Sequence, residues 1–373
     1  MSLEKFLEEW NNPSEFVEVK TSGSTGEPKR MMVEKRRMLN SARITCDFLG
    51  LREGDTALLC MSIDYIAGKM MVVRSIERGL RLISVEPSGH PLSSLLRPPL
   101  TPPTQEGNSH LSARAPLACY QRDARPLTSH LSFAAMVPMQ VYNSLQVPEE
   151  RERLMAIKHL IIGGGAIDEA MERELRTFPN AVWSTYGMTE TLSHIALRRI
   201  SGPDASDWYT PFPSVEISQN DDGCLVITAP EVCAETLVTN DIVEIVNNRF
   251  RILGRKDNVI CSGGIKLQIE EIERELKPYV RVPYIISKRK DEKFGEVVVL
   301  LTEGSTDEAK AICEKNLPKY HQPKVYLHVD KIPLTETGKP ARKVAETIAC
   351  SDPFGFPLTS WTSQAAKPSE GEE

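Results

Sequence analysis

Short apolar runs alternate along the chain with longer segments whose apolar residues recur at helical spacing, and this alternation predicts the elements. Phe16-Val17-Glu18-Val19 reads as a short strand, and Glu34 to Leu49 as a helix closed by Gly50. Thr56-Ala57-Leu58-Leu59-Cys60-Met61 reads as a buried strand, Ile66 to Arg78 as a helix and Leu80 to Val85 as a second strand. Phe133 to Val137 is a strand followed by helical pattern to about Ala156, and Lys158 to Ile162 is another strand. Strands and helices in strict alternation imply a parallel α/β sheet. Further on, Arg249 to Leu253 reads as a strand, and Ile269-Glu270-Glu271-Ile272-Glu273 as a helix with one apolar face. Strands near 282–287 and 295–302, a helix near 307–316 and a strand near 324–329 then compose a small α+β domain.

The pattern breaks between Pro87 and His130, where prolines cluster and no periodicity is sustained. This stretch is expected to be a mobile surface insert. With 373 residues against roughly 150 per domain, two domains are expected. The expected division is a large domain over 1–256, a small mobile domain over 257–350 and a loose polar tail over 351–373. Net charge of −6 argues against a general nucleic-acid binder. The eight cysteines form no C-x-x-C pair, which disfavours a zinc site or a disulfide framework and fits a reduced cytoplasm. No apolar run approaches the ~18 residues of a membrane span, and Met1-Ser2-Leu3-Glu4 does not open a signal peptide, so a soluble cytoplasmic protein is expected.

The chemistry concentrates in a few segments. Thr21-Ser22-Gly23-Ser24-Thr25-Gly26-Glu27-Pro28-Lys29 combines two turn-forming glycines with hydroxyls and a cation, a composition that grips phosphates. It is not a Walker A loop, because Pro28 stands between Gly26 and Lys29. Gly163-Gly164-Gly165-Ala166 follows a strand, but Asp168 occupies the position where a dinucleotide fingerprint needs its last glycine. That leaves two readings: a bare backbone a flat heterocycle can approach, or a plain turn capped by Asp168. Thr185-Tyr186-Gly187-Met188-Thr189-Glu190 offers a ring, a sharp turn, hydroxyls and a hard carboxylate suited to adenine, phosphate and Mg2+.

In this order, the segments resemble the signature motifs of the adenylate-forming acyl- and aryl-CoA ligase superfamily. The loop 21–29 matches Ser/Thr-Ser-Gly-Ser/Thr-Thr-Gly-x-Pro-Lys, and Tyr186 to Glu190 matches Tyr-Gly-x-Thr-Glu. Thr239-Asn240-Asp241 is similar to Thr-Gly-Asp, with Asn240 expected to keep the turn because asparagine tolerates left-handed backbone. Gly254-Arg255-Lys256-Asp257 matches Gly-Arg-x-Asp at the domain junction, and Pro333 to Pro340 matches Pro-x-Thr-x-x-Gly-Lys. Ser262-Gly263-Gly264 precedes a segment similar to Gly-Gly-x-Asn-Ile-x-Pro-x-Glu-Ile-Glu, with Lys266 and Ile269 replacing the Asn and Pro. The resemblance covers residues 16 to 348. Members usually carry roughly a hundred more residues before the phosphate loop, so the large domain is expected to be an N-terminally shortened version, with β-sheets flanked by helices.

The resemblance implies ATP and Mg2+ as cofactors, CoA as co-substrate and a small carboxylate as substrate. Thr21, Ser22, Gly23, Ser24, Thr25, Gly26, Lys29, Gly163 to Ala166, Thr185, Tyr186, Gly187, Asp241 and Arg255 would bind the nucleotide. Thr189, Glu190 and Lys339 would be catalytic, with Glu190 on the metal, Asp257 the hinge and Gly263-Gly264 in the CoA tunnel. The shortened form and Tyr65-Ile66-Ala67-Gly68-Lys69-Met70-Met71-Val72-Val73-Arg74 look most like o-succinylbenzoate-CoA ligases of menaquinone synthesis. Those enzymes place an Arg six residues after a Gly; Tyr65 replaces their His. Tyr65, Gly68, Lys69 and Arg74 are the acid-binding candidates, the alternative for Arg74 being a surface residue of an amphipathic helix. The rival functions are ligation of another carboxylate, loading of a carrier-protein thiol, and a non-catalytic adenylate sensor. A homodimer is admitted, and no membrane insertion is expected.

Overall fold

The computed structural model describes residues 1–20, 30–95, 131–335 and 340–351. The phosphate-loop candidate 21–29, residues 96–130 of the proline-rich stretch, segment 336–339 with Lys339, and the tail from 352 lie outside the described residues. The chain divides into two compact units: Met1–Thr239 with Val243–Ile252, and Asn240–Ile242 with the described residues from Leu253 on.

The first unit runs α1 (Leu3–Asn11), β1 (Phe16–Lys20), β2 (Arg30–Glu34), α2 (Lys35–Leu49), β3 (Thr56–Leu59), α3 (Ile66–Arg78) and β4 (Arg81–Ser84). It continues through β5 (Phe133–Met136), α4 (Pro138–Leu145), α5 (Pro148–Ala156), β6 (His159–Ile162), α6 (Glu169–Leu175), β7 (Ala181–Gly187), β8 (His194–Arg199) and β9 (Thr210–Pro211). A seven-stranded sheet has the order β4-β3-β5-β6-β7-β8-β9. The first five strands are parallel, while β8 and β9 are added antiparallel.

At the centre of this sheet, β3, β5 and β6 are covered on both faces, which is why they are continuous apolar runs. Along β3, Ala57 and Leu59 point into one core with helices α2 and α3, while Leu58 and Cys60 belong to a second core with α4, α5 and α6. The same alternation continues in β5 and β6, as a period of two requires. Gly50 closes α2 in the left-handed conformation, as the sequence reading expects, and Gly79 closes α3 in the same way.

Three features were not read from the sequence. Helix α1 packs Phe6 and Trp10 into the first core. A four-stranded sheet, β10 (Glu216–Gln219), β11 (Cys224–Thr228), β12 (Leu237–Val246) and β13 (Arg249–Arg255), follows in sequential order, and of its strands only β13 was read in advance. The expected structureless excursion is corrected at its start, because residues 87–95 are pinned to α4 and α5. Gln140 Nε2 donates to the Ser88 carbonyl (3.0 Å), Asn143 Nδ2 to the Gly89 carbonyl (3.1 Å), His90 Nδ1 lies 3.2 Å from Glu150, and Leu92 is fully buried.

In the second unit, β14 (Val259–Ser262), β15 (Ile265–Gln268), α7 (Ile269–Leu276), β16 (Tyr284–Asp291), β17 (Gly295–Thr302), α8 (Thr306–Asn316), β18 (Val325–His328) and α9 (Arg342–Ala349) form an α+β layer. The strands lie in the order β15-β14-β17-β16, with β18 parallel to β17. Ile286, Val298 and Leu300 face α7 and α8, whereas Ile285, Val299 and Leu301 face α9. Among the described residues no helix is long and apolar enough to cross a membrane.

One close approach fixes the path from β3 into α3. A Cβ on Gly68 would stand 2.3 Å from the Ser62 carbonyl oxygen, so only glycine lets the first turn of α3 lie on that backbone. Gly68→Ala should therefore lower the unfolding free energy by about 1–3 kcal/mol, the usual cost of overpacking. Urea titration checks this, and an unchanged midpoint would mean that the contact relaxes freely.

Candidate active site

In an open parallel sheet, ligands bind beyond the carboxyl ends of the strands, where strand order reverses. Here that reversal lies between β3 and β5, with β4 on one side and β6 on the other. The segments singled out in the first unit leave this edge: Tyr65 to Arg74 after β3, Gly163 to Ala166 after β6, and Gly187 to Glu190 after β7.

Gly163 closes the β5–β6 ladder by donating its amide to the Met136 carbonyl (3.1 Å), and a Cβ there would sit 2.3 Å from Thr185 Oγ1. Gly164, Gly165 and Ala166 then leave an exposed stretch of backbone. Asp168 caps α6, accepting from the amides of Ala170 (2.7 Å) and Met171 (3.4 Å), so the capped turn and the bare backbone coexist.

Strand β7 brings Thr185, half-buried, and Tyr186, whose ring packs edge-on against Phe250 (5.0 Å, 79°) and near Tyr209 (5.9 Å). A register shift follows at Gly187. The turn beyond it is held by Thr191, whose Oγ1 accepts the Met188 amide (3.1 Å) and donates to the Ser193 carbonyl (2.7 Å). Leu192 is forced to φ 63°, an unfavourable conformation for a bulky residue and the kind of strain that clusters at functional turns. Thr189 is buried, and Glu190 projects into solvent without an ion pair to a described residue.

The acid-binding candidates separate. Tyr65 precedes α3 in extended conformation and is half-buried. The buried Lys69 ammonium donates to the Glu18 carbonyl (2.7 Å), lies 3.9 Å from Glu9 and stands 5.1 Å over the Phe6 ring; burial pushes its pKa below the usual lysine value. Lys69 is thus engaged with β1 and α1. Arg74 is 2% exposed, which excludes the surface reading. Its Nη2 donates to Ser193 Oγ (2.6 Å), its Nη1 meets only Met71 Sδ (3.9 Å), and its buried Nε has no hydrogen-bond partner among the described residues. No described carboxylate pairs with it, and burial pushes its pKa down to about 10, so the charge persists at neutral pH.

Ser193 and His194 were missed by the sequence reading, as was Thr45. Ser193 Oγ lies 3.2 Å from His194 Nδ1, and His194 Nε2 lies 3.1 Å from Thr45 Oγ1. Nothing in the sequence signals a pairing between positions 149 apart, though the Ser-His pair directly after the Tyr-Gly-x-Thr-Glu segment was open to notice.

The second unit carries its own polar cluster. Arg255 Nη1 donates to Asp241 (3.0 Å) and its Nη2 to Asp257 (3.3 Å), while Asn240 Nδ2 reaches both Asp257 oxygens (3.1 and 3.3 Å). The expected left-handed turn at Asn240 is corrected. Thr239 to Asp241 are extended residues of β12, and Asn240 is not among the residues with positive φ. Its role here is a hydrogen bond. Gly263 and Gly264 form the two-residue turn between β14 and β15, both with positive φ (58° and 83°), as a tight hairpin demands. Lys339 and the 21–29 loop lie outside the described residues.

No family model matches the chain. It is similar to the 2-succinylbenzoate–CoA ligase of Listeria monocytogenes, 26% identical over 370 residues, which cover 89% of this chain and 70% of the relative. Among solved structures it resembles the acyl-CoA synthetase (AMP-forming)/AMP-acid ligase II-like protein of Dyadobacter fermentans, 28% identical over 91% of both chains with a TM-score of 0.58. The o-succinylbenzoate CoA synthetase of Bacillus subtilis, solved with ATP and magnesium ion, matches at 21% identity over 87% of this chain and 68% of that one, with a TM-score of 0.65. The fold is that of the adenylate-forming ligases.

The buried imidazoles set a pH dependence. Burial, aided by the charge of Arg74, holds His194 well below its ordinary 6.5, and burial lowers His159 in the same direction. A group with a depressed folded pKa contributes stability that is complete above the unfolded value and is lost progressively as pH falls below it. Unfolding free energy should therefore decline below pH 6.5 by up to about 1.4 kcal/mol per pH unit for each such proton. His194→Gln should flatten the decline in urea titrations at pH 7.5 and 5.5. Equal slopes in both proteins would show that His194 titrates normally.

Proposed function

We propose that this chain, a member of the adenylate-forming acyl- and aryl-CoA ligases, joins o-succinylbenzoate to CoA through an acyl-adenylate, releasing AMP and pyrophosphate. The observation that carries the substrate is Arg74. A buried guanidinium with an unmatched Nε and no described carboxylate beside it is costly unless an anion completes it. o-Succinylbenzoate has two carboxylates. One must attack unpaired, and the other can occupy the guanidinium. The name of the Listeria relative supports the same acid.

In the first half-reaction, the acid's carboxylate oxygen attacks the α-phosphorus of ATP and pyrophosphate leaves. The 21–29 loop and Lys339 would stabilise the charge on the phosphates, and the Gly163–Ala166 and Thr185–Gly187 segments would receive the adenine. Asp241 and Arg255 would hold the ribose. Glu190 is a solvent-facing hard carboxylate beside Thr189, the kind of single protein ligand Mg2+ takes when phosphates complete its shell. Mg2+, when bound there, supplies neutralisation of the leaving group's charge. In the second half-reaction the CoA thiol displaces AMP after a rotation at Asp257, which would bring Gly263-Gly264 into place of Lys339.

Two measurements test this reading. Lys339→Ala should slow adenylate formation by about a thousandfold, since a lysine aimed at the transferring phosphate assists only that step, and should spare thioester formation from supplied adenylate. Equal losses in both steps would refute the assigned role. For the substrate, Arg74→Ala should raise the KM for o-succinylbenzoate by about a hundredfold, the equivalent of a charged hydrogen bond, with the KM for ATP nearly constant. A panel of carboxylic acids in pyrophosphate exchange that prefers a monocarboxylate would reassign the substrate.

A further inference from the structure

We propose that Ser193 and His194 are positioning residues for acid recognition: with Thr45 they form a one-way hydrogen-bond chain that fixes the Arg74 guanidinium for the substrate's second carboxylate. The inference rests on the substrate reading above and extends it to residues that do not touch the acid.

The direction of the chain follows from its two ends. Thr45 Oγ1 lies 3.0 Å from the Ser41 carbonyl, which can only accept, so the threonine proton is committed there. The Thr45 oxygen must then accept from His194 Nε2, 3.1 Å away, which places the imidazole proton on that nitrogen. A neutral ring protonated at Nε2 presents Nδ1 as an acceptor, so the Ser193 hydroxyl, at 3.2 Å, donates to it. The Ser193 oxygen is left to accept from Arg74 Nη2 at 2.6 Å, and a guanidinium can only donate. Donor-only and acceptor-only groups at opposite ends leave one arrangement of protons. Ring burial and the nearby Arg74 charge both keep the imidazole neutral, as that arrangement requires.

The geometry also gives Arg74 its only oxygen partner among the described residues. Nη1 touches a thioether and Nε touches no polar atom, so the plane of the guanidinium is set by the Ser193 contact. Ser193 in turn stands on the strained Leu192 turn locked by Thr191, and His194 is wedged against Phe212 (ring centroids 5.6 Å). A fork that recognises a carboxylate bidentately loses affinity when its plane is free to turn.

The experiment compares Ser193→Ala, Ser193→Thr, His194→Phe and Arg74→Lys in pyrophosphate exchange, with o-succinylbenzoate and with an analogue lacking the second carboxylate. Ser193→Ala and His194→Phe, the latter keeping the packing against Phe212, should each raise the KM for o-succinylbenzoate about tenfold, as expected when one hydrogen bond is lost. The KM for ATP and the kcat/KM for the monocarboxylate should move less than twofold. Ser193→Thr, which keeps the hydroxyl, should restore most of the loss. In nitrogen NMR the His194 ring should carry its proton on Nε2. Losses shared equally between the two acids, or a proton on Nδ1, would overturn the chain. If Arg74→Lys impairs o-succinylbenzoate while the Ser193 and His194 variants do not, the positioning role fails and the substrate reading stands. If Arg74→Lys has no effect on that acid, both fail.

Discussion

The first unit is organised around a charge that no described carboxylate neutralises. Arg74 is among the largest fully buried side chains, on a helix whose other buried residues are mostly apolar, with no described carboxylate at hand. Proteins pair or hydrogen-bond buried charges because desolvating one costs several kcal/mol otherwise. Among the described residues the protein supplies one hydroxyl, from Ser193, and one thioether, from Met71. A structure seeking only stability would place a leucine at this position. An arginine at this position is explained by the recognition proposed above rather than by folding, and the polar residues around it take their proposed positioning role from that reading.

The position of that charge depends in turn on the sheet. Because both faces of the central parallel strands are covered, the chain leaves the core for solvent at their carboxyl ends. Three such exits carry Tyr65 to Arg74, Gly163 to Ala166 and Gly187 to Glu190. Covalent continuity with rigid strands gives these loops their precision. The register shift at Gly187 and the left-handed Leu192 show the backbone departing from regularity where side chains must be aimed.

What the sequence disclosed follows the same physics. Strands buried on both faces read as apolar runs, so β3, β5 and β6 were legible, as were the helices between them and the capping Gly50. Motif segments were legible as composition. The β10 to β13 sheet was mostly not, because its strands bury few residues and show no clean period, as in β10, where none is buried. Asn240 misled: its tolerance of left-handed backbone suggested a turn, whereas the strand used its amide to hold Asp257. Arg74 was ambiguous because a charge in an apolar helix reads equally as snorkelling or as buried. His194 and Thr45 were invisible as a pair, since their contact exists only after α2 has been laid against β8.

Helix α3 carries two buried cations with different attachments. Five residues before Arg74 on α3, Lys69 grips the carbonyl of Glu18 in β1, two residues from the point where that strand runs into the 21–29 segment. The rod that bears the proposed acid-recognising group is therefore fastened to the stem of the proposed phosphate loop. Under the proposed function, a displacement of α3 on acid capture would load that stem, and a settling of the stem on ATP would load α3. Whatever cooperativity this fastening transmits must be mutual: the factor by which the acid alters ATP affinity equals the factor by which ATP alters acid affinity, so the free energy of filling both sites is the same in either order.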